Sequence, residues 1–80
     1  MPDKRRIVLV TVQDGKQTQH VIPFETAAER DAAIVAAQQQ AREIHRAGGT
    51  VESIDQYRES AAGKIDHEEN CPIGDLDAKE

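Results

Sequence analysis

The sequence reads RIVLVTVQDGKQTQHVIPF over residues 6–24, and this stretch decides the fold. Two runs rich in β-branched residues, at 6–13 and 16–23, lie on either side of Asp14-Gly15. Asp-Gly readily adopts the two positive φ angles of a type I′ turn, whose twist matches that of the strands it joins. We therefore expect a β-hairpin, with its register set by the two-residue turn.

The register of this hairpin predicts that its first strand is apolar on both faces. With Leu9 opposite His20, one face carries Ile7, Leu9 and Ile22, together with Phe24. The side chains on the other face are mostly valines: Val8, Val10, Val12 and Val21. Because successive side chains of a strand alternate between faces, both sides of this strand need a cover. Such a strand belongs in the middle of a sheet.

A helix is predicted over residues 27–47. Thr26 and Glu29 have the spacing of a capping box, in which each side chain hydrogen-bonds the backbone amide of the other residue. Gly48-Gly49 favours a left-handed stop. At about 100° per residue, one helix face carries mostly small residues. This stripe consists of Ala27, Ile34, Ala37, Ala41 and Ile44.

A third strand is predicted over residues 50–57, which gives the element order ββαβ in an α+β fold. A right-handed crossover through the helix places this strand beside the first and parallel to the second. We therefore expect a three-stranded sheet of order 2-1-3 with one helix on one face. The predicted domain spans residues 1–58, and residues 59–80 are expected to form an acidic, loosely ordered tail.

One helix covers only one face of a sheet, so the other face needs a different cover. The sequence leaves three covers open: the C-terminal segment, a second copy of the chain, or a target protein. If a second copy covers it, Val8, Val10, Val12 and Val21 form an oligomer face, and the chain is a homodimer with a structural or accessory role.

No residue pattern predicts an active site, a cofactor or a metal. His67 and Cys71 are four residues apart, but a structural zinc site needs four ligands, and His20 and His45 have no paired spacing with them. We expect no catalytic, cofactor-binding or metal-binding residues, and hence no enzyme. The single cysteine favours a reducing, cytoplasmic setting, and no apolar run is long enough to span a membrane.

Direct binding of nucleic acid is not expected. The only basic cluster is Lys4-Arg5-Arg6, and the formal net charge of the chain is −5. Three cations give weak contact with phosphates, and the overall sign repels them. The cluster is better explained as a charged strand end that discourages pairing between sheet edges, although a binding role for it stays open.

The charge of the chain is concentrated at its C-terminal end. Residues 52–80 carry nine acidic and three basic side chains, whereas residues 1–51 are close to neutral. These carboxylates either keep the chain soluble or form an acidic surface that mimics nucleic acid and binds a basic groove on a partner. The candidates for that surface are Glu52, Asp55, Glu59, Asp66, Glu68 and Glu69.

In layout the chain resembles the small phage-encoded anti-CRISPR proteins. The resemblance lies in the apolar strand Val8–Val12, the Asp14-Gly15 turn, the Thr26–Gly49 helix and the acidic stretch Glu52–Glu69. It implies a non-enzymatic inhibitor that occupies a nucleic-acid-binding groove on a CRISPR surveillance complex or a similar machine. The alternative is a homo-oligomerising structural or accessory protein that uses the valine face described above.

Overall fold

The computed structural model describes residues 4–77, which form one sheet and one helix. The ends of the predicted domain and tail, residues 1–3 and 78–80, lie outside the described residues. Five elements follow one another along the chain: β1 (Lys4–Gln13), β2 (Lys16–Phe24), α1 (Ala27–Arg46), β3 (Thr50–Glu59) and β4 (Ile65–Cys71).

The hairpin of β1 and β2 is confirmed, together with its register. Asp14 and Gly15 have φ angles of 54° and 76°, as a type I′ turn requires. Leu9 lies opposite His20 in an antiparallel ladder. Pro23 is the penultimate residue of β2, and its missing N–H is tolerated because β2 is an edge strand.

The sheet has four strands in the order β2-β1-β3-β4, and all neighbours are antiparallel. The predicted order 2-1-3 is therefore correct, but the three-stranded count is wrong. The additional strand β4 lies within residues 59–80, where the sequence predicted a tail. Gly63, with φ of 84°, is part of the turn between β3 and β4, and the Gly63 amide donates to Ser60 O at 2.9 Å.

Both ends of α1 have the caps that the sequence predicts, with one change. The Thr26 hydroxyl accepts from the Glu29 amide at 3.1 Å, but the Glu29 carboxylate accepts from the Glu25 amide instead of the Thr26 amide. At the other end, Gly48 has φ of 93°, and the Gly49 amide donates to Ile44 O at 2.9 Å. This is the Schellman arrangement, which stops the helix before β3.

The core lies between α1 and one face of the sheet. Ile7, Leu9 and Ile54 are its largest fully buried side chains. The helix contributes Ala33, Ala37 and Ala41, whereas Ala27 of the predicted stripe is exposed. Alanine lets the helix lie close to the sheet but buries little apolar area, so each large core residue, worth roughly 1.5–3 kcal/mol, has a large share in stability.

The segment after β4 packs on the helix side of the molecule. The Gln38 side-chain amide donates to Pro72 O at 2.8 Å, and His45 Nε2 lies 3.1 Å from Asp77 Oδ1. Ile73 and Leu76 pack against the core beside the helix. This segment therefore adds to the layer that α1 forms and does not cross to the opposite face of the sheet.

Because Ala37 is fully buried against the sheet, we expect Ala37→Leu to lower the free energy of unfolding by about 1–3 kcal/mol through overpacking. Ala36 is exposed on the same helix, so Ala36→Leu should change it by less than about 0.5 kcal/mol. Urea unfolding followed by circular dichroism measures both. Equal stability of the two variants would contradict the close helix–sheet contact.

Candidate protein-binding surface

The face of the sheet that points away from α1 is called the open face here. Ile7 and Leu9 of β1 pack in the core, so the alternate residues of β1 point to the other side. The ladder places one β2 valine and residues of β3 and β4 beside them. Its apolar and aromatic side chains are Val8, Val10, Val12, Val21, Tyr57 and Ile65.

The apolar residues of the open face differ in exposure. Val21 and Ile65 are exposed to 50% and 54%, and both lie on edge strands. Val10 and Val12 are half-buried, and Val8 is buried at 6% exposure by its neighbours in the sheet. The structure thus places the four valines of the predicted oligomer face on one side of the sheet. Ile65 lies on the same side but beside Glu59, at the opposite end of the sheet from Val12.

Tyr57 and His67 form a cluster with a carboxylate on the same face. Their rings meet edge to face, with 5.3 Å between centroids. His67 Nε2 lies 3.0 Å from Asp55 Oδ1, and the side chain of Asp55 is only 13% exposed. Since Asp55 pairs with Val8 in the ladder, this cluster lies directly beside the valines.

Two other predicted acidic residues also lie on the open face. The Arg6 guanidinium donates to Glu59 Oε1 at 3.1 Å. The Gln17 amide donates to Glu52 Oε2 at 3.1 Å, and Gln17 pairs with Val12. A regular strand would separate Glu52 from Asp55, but a β-bulge between β1 and β3 leaves Glu52 without a ladder partner and aligns both with the open face.

Glu68 lies on the helix side of the sheet, at a second bulge between β3 and β4. Arg5 Nε and Gln56 Nε2 each donate to Glu68 Oε1 at 3.1 Å. The hydrogen bond from Gln56, assisted by the charge of Arg5, holds the pKa of Glu68 below its usual range, although desolvation opposes this. These contacts join β4 to both β3 and β1.

Arg30 extends this network to the helix. Its Nε donates to Gln56 Oε1 at 2.5 Å, and its guanidinium also forms an ion pair with Glu69. Asp66, two residues along β4 from Glu68, lies 3.7 Å from the Arg58 guanidinium. The carboxylates of β4 are therefore bound to cations of β1, β3 and α1.

The six predicted acidic residues do not form one surface. Glu52, Asp55 and Glu59 lie on the open face, and Asp66, Glu68 and Glu69 lie with the helix side of the sheet. Every one of them contacts a donor of the same chain. The charges of four of them, Glu59, Asp66, Glu68 and Glu69, are offset in place by arginines, so the surface they present to a partner is less acidic than the sequence suggests.

The other residues with chemical potential have structural environments. Cys71 is buried in the core at the end of β4 rather than in a solvated tail, and burial raises the pKa of its thiol. His20 lies between α1 and β1: Gln40 Nε2 is 3.0 Å from its Nδ1, and Thr11 Oγ1 is 3.2 Å from its Nε2. Across residues 4–77, no three His, Cys, Asp or Glu side chains form a group that could hold a metal ion.

Sequence reasoning missed the cationic partners of the acidic residues. Arg5 and Arg30 come from β1 and α1, and they reach Glu68 and Glu69 because β4 joins the sheet. The available signal was Gly63, a residue typical of a turn between two strands, within the stretch that the sequence predicted as a tail. With that turn recognised, Ile65 and His67 fall on one face of a strand beside Tyr57.

Comparisons with known proteins give no match: no family model, curated protein or solved structure is similar to this chain. The helix within the described residues is not apolar enough, over a sufficient length, to cross a membrane.

The low pKa of Glu68 predicts a pH dependence of stability. Because the folded pKa lies below the ordinary value of 4.5, Glu68 stabilises the fold above that pH, and the contribution is lost as the pH falls through the folded pKa. We expect Glu68→Gln to lose less stability than the parent chain on acidification. Urea titrations from neutral to acidic pH measure this difference. Glu43→Gln, on the exposed side of α1, is the control and should follow the parent.

Proposed function

We propose that the protein is a non-enzymatic protein-binding module that uses the open face of its sheet. The observation that carries this proposal is the position of the exposed apolar side chains. Val21 and Ile65, two of the three exposed large hydrophobic residues of the described chain, lie on this face. Half-buried Val10 and Val12 lie on β1 toward the hairpin turn, next to Val8, which pairs with Val21. The anti-CRISPR resemblance and the cytoplasmic setting stay predictions.

The side chains around the valines are of the kinds that dominate binding energies. Tyrosine and arginine are enriched among the residues whose truncation weakens interfaces most. Tyr57 and Arg6 lie opposite each other in the β1–β3 ladder, and each is held by a second residue, His67 and Glu59 respectively. Side chains that are already positioned lose less conformational entropy on binding. The open face therefore combines an apolar area with pre-positioned anchors.

Site-specific photo-crosslinking in cells tests this surface. Val21 is 50% exposed on the open face, and Val35 is 51% exposed on the opposite side of the molecule, on α1. We expect a photoreactive benzophenone amino acid at position 21 to give crosslinked products and the same group at position 35 to give none. The two positions match in residue type and exposure. A difference between their crosslinking yields therefore shows which face of the molecule contacts a partner.

Crosslinks from position 35 without crosslinks from position 21 would overturn the proposal. The Val21 products are separated by mass and sequenced, and each is either a second copy of the chain or a different protein. Both kinds of product agree with the proposed function, and they distinguish between partners.

The acidic inhibitor is a second candidate, and the carboxylates of β4 favour it. Asp66, Glu68 and Glu69 lie within one edge strand, where an approaching basic groove could reach them. Such a groove would have to compete with Arg5 and Arg30, which already bind two of the three. In this candidate, the chain blocks a nucleic-acid-binding groove, as in a CRISPR surveillance complex.

Charge reversal tests the acidic candidate. Glu52 has a neutral partner, so Glu52→Lys breaks no ion pair, and Glu69→Lys reverses a β4 carboxylate. If the β4 carboxylates bind the groove, Glu69→Lys should weaken binding to a purified surveillance complex, and binding should fall steeply between roughly 50 and 300 mM salt, where screening shortens the reach of charges. Glu52→Lys on the open face and Glu43→Lys on α1 are the controls and should leave binding unchanged. Binding that is unchanged by Glu69→Lys would contradict this candidate.

A further inference from the structure

The C-terminal segment, as far as the structure describes it, does not cover the open face. Pro72 and Asp77 contact Gln38 and His45 of α1, and Ile73 and Leu76 pack on the core between them. Residues 72–77 are thus on the opposite side of the sheet from the four valines. Of the three covers that the sequence left open, a second copy and a target protein remain.

The charge of the open face favours a second copy. It carries the cations Lys4 and Arg6 and the carboxylates Glu52, Asp55 and Glu59, so its formal net charge is −1, against −5 for the whole chain. Arg6 and Glu59 neutralise each other, and Asp55 is bound to His67. Two such faces meet with little repulsion, while most of the charge stays on the outer surfaces of both copies.

The size of the face is at the lower limit for a specific interface between two chains. Four strands about 4.8 Å apart and up to ten residues long, at about 3.3 Å per residue, make a rectangle of roughly 600 Å². Two such faces bury on the order of 1,200 Å² together, which is the lower end of the range for specific interfaces. A monomer leaves Val21 and Ile65 of this face about half exposed to water.

The shape of the chain also fits one half of a thicker assembly. The molecule measures 41 × 28 × 15 Å, and its radius of gyration is 13.2 Å. A compact domain of this length has a radius of gyration of about 12 Å. The chain is flattened because it has one helical layer and one sheet layer, and a second sheet packed on the open face would restore a thicker core.

We infer that the partner of the open face is a second copy of this chain, packed sheet on sheet in a symmetric dimer with the two helices outermost. The inference rests on the proposed function of the open face and names its partner. A two-fold axis near β1 brings the same valines of both copies together, as a self-complementary interface requires. The arrangement is a β-sandwich covered by one helix on each side, with sheets about 10 Å apart.

Sedimentation velocity of the whole chain tests the inference, from about 1 µM to about 500 µM because interfaces of this size reach micromolar affinity. We expect the parent to sediment as two chains of 8.8 kDa at the upper concentrations. Val21→Glu and Ile65→Glu should each weaken dimerisation by about tenfold or more, since each places a charge in the interface. Val35→Glu should leave it unchanged.

The variants are matched, since the three side chains are 50%, 54% and 51% exposed, and circular dichroism verifies that each one folds. A parent that remains monomeric throughout, or a Val35→Glu variant that dissociates as readily as Val21→Glu, would overturn the dimer. If the parent is monomeric and the crosslinker at position 21 captures a different protein, the dimer is contradicted but the proposed function is supported. If the parent is monomeric and position 21 gives no crosslinked product, both the dimer and the proposed function are contradicted.

Discussion

Across residues 4–77, one sheet with two apolar faces is covered by a helix on one face alone, and the rest of the structure depends on this constraint. β1 carries Ile7 and Leu9 on one side and Val8 and Val10 on the other, and α1 covers the first side alone. The helix does so with alanines, which bring it close but bury little area. The described residues therefore have a small core on one face of the sheet and a layer of apolar side chains without a helix on the other.

Electrostatics follow from the same sheet. When β4 joins β3, its carboxylates come within reach of Arg5 and Arg30, and a network connects β1, β3, β4 and α1 through Gln56. Partly exposed ion pairs each add little stability, but a connected set that includes hydrogen bonds defines the position of an edge strand. The charged residues that looked like a binding surface in the sequence thus have a structural role as well.

The sequence was sufficient to predict the elements with strong local signals. Asp14-Gly15 gave the hairpin and its register, Thr26 with Glu29 gave the helix start, and Gly48 gave its end, because each of these acts through a few neighbouring residues. The right-handed crossover then gave the order of the first three strands. All of these are local rules or rules of chain connection.

The features that sequence reasoning missed depend on contacts between distant residues. β4 is polar along most of its length, and its place in the sheet comes from partners on β1, β3 and α1. The bulge that aligns Glu52 with Asp55 arises from the mismatch between β1 and β3 and has no residue signature of its own. Of the candidate surface, the four valines were predictable from the hairpin register alone, whereas Ile65 required β4.

The strand order also determines how the chain reaches this structure. β1 pairs with β2 through a two-residue turn, and β3 pairs with β4 across the short turn at Gly63, so both hairpins join residues that are close in sequence. The β1–β3 ladder joins residues far apart in sequence, and pairings of this kind are the slower ones to form. The sheet thus consists of two hairpins joined by the β1–β3 ladder. The valines of β1 become part of a four-stranded sheet only when this ladder forms.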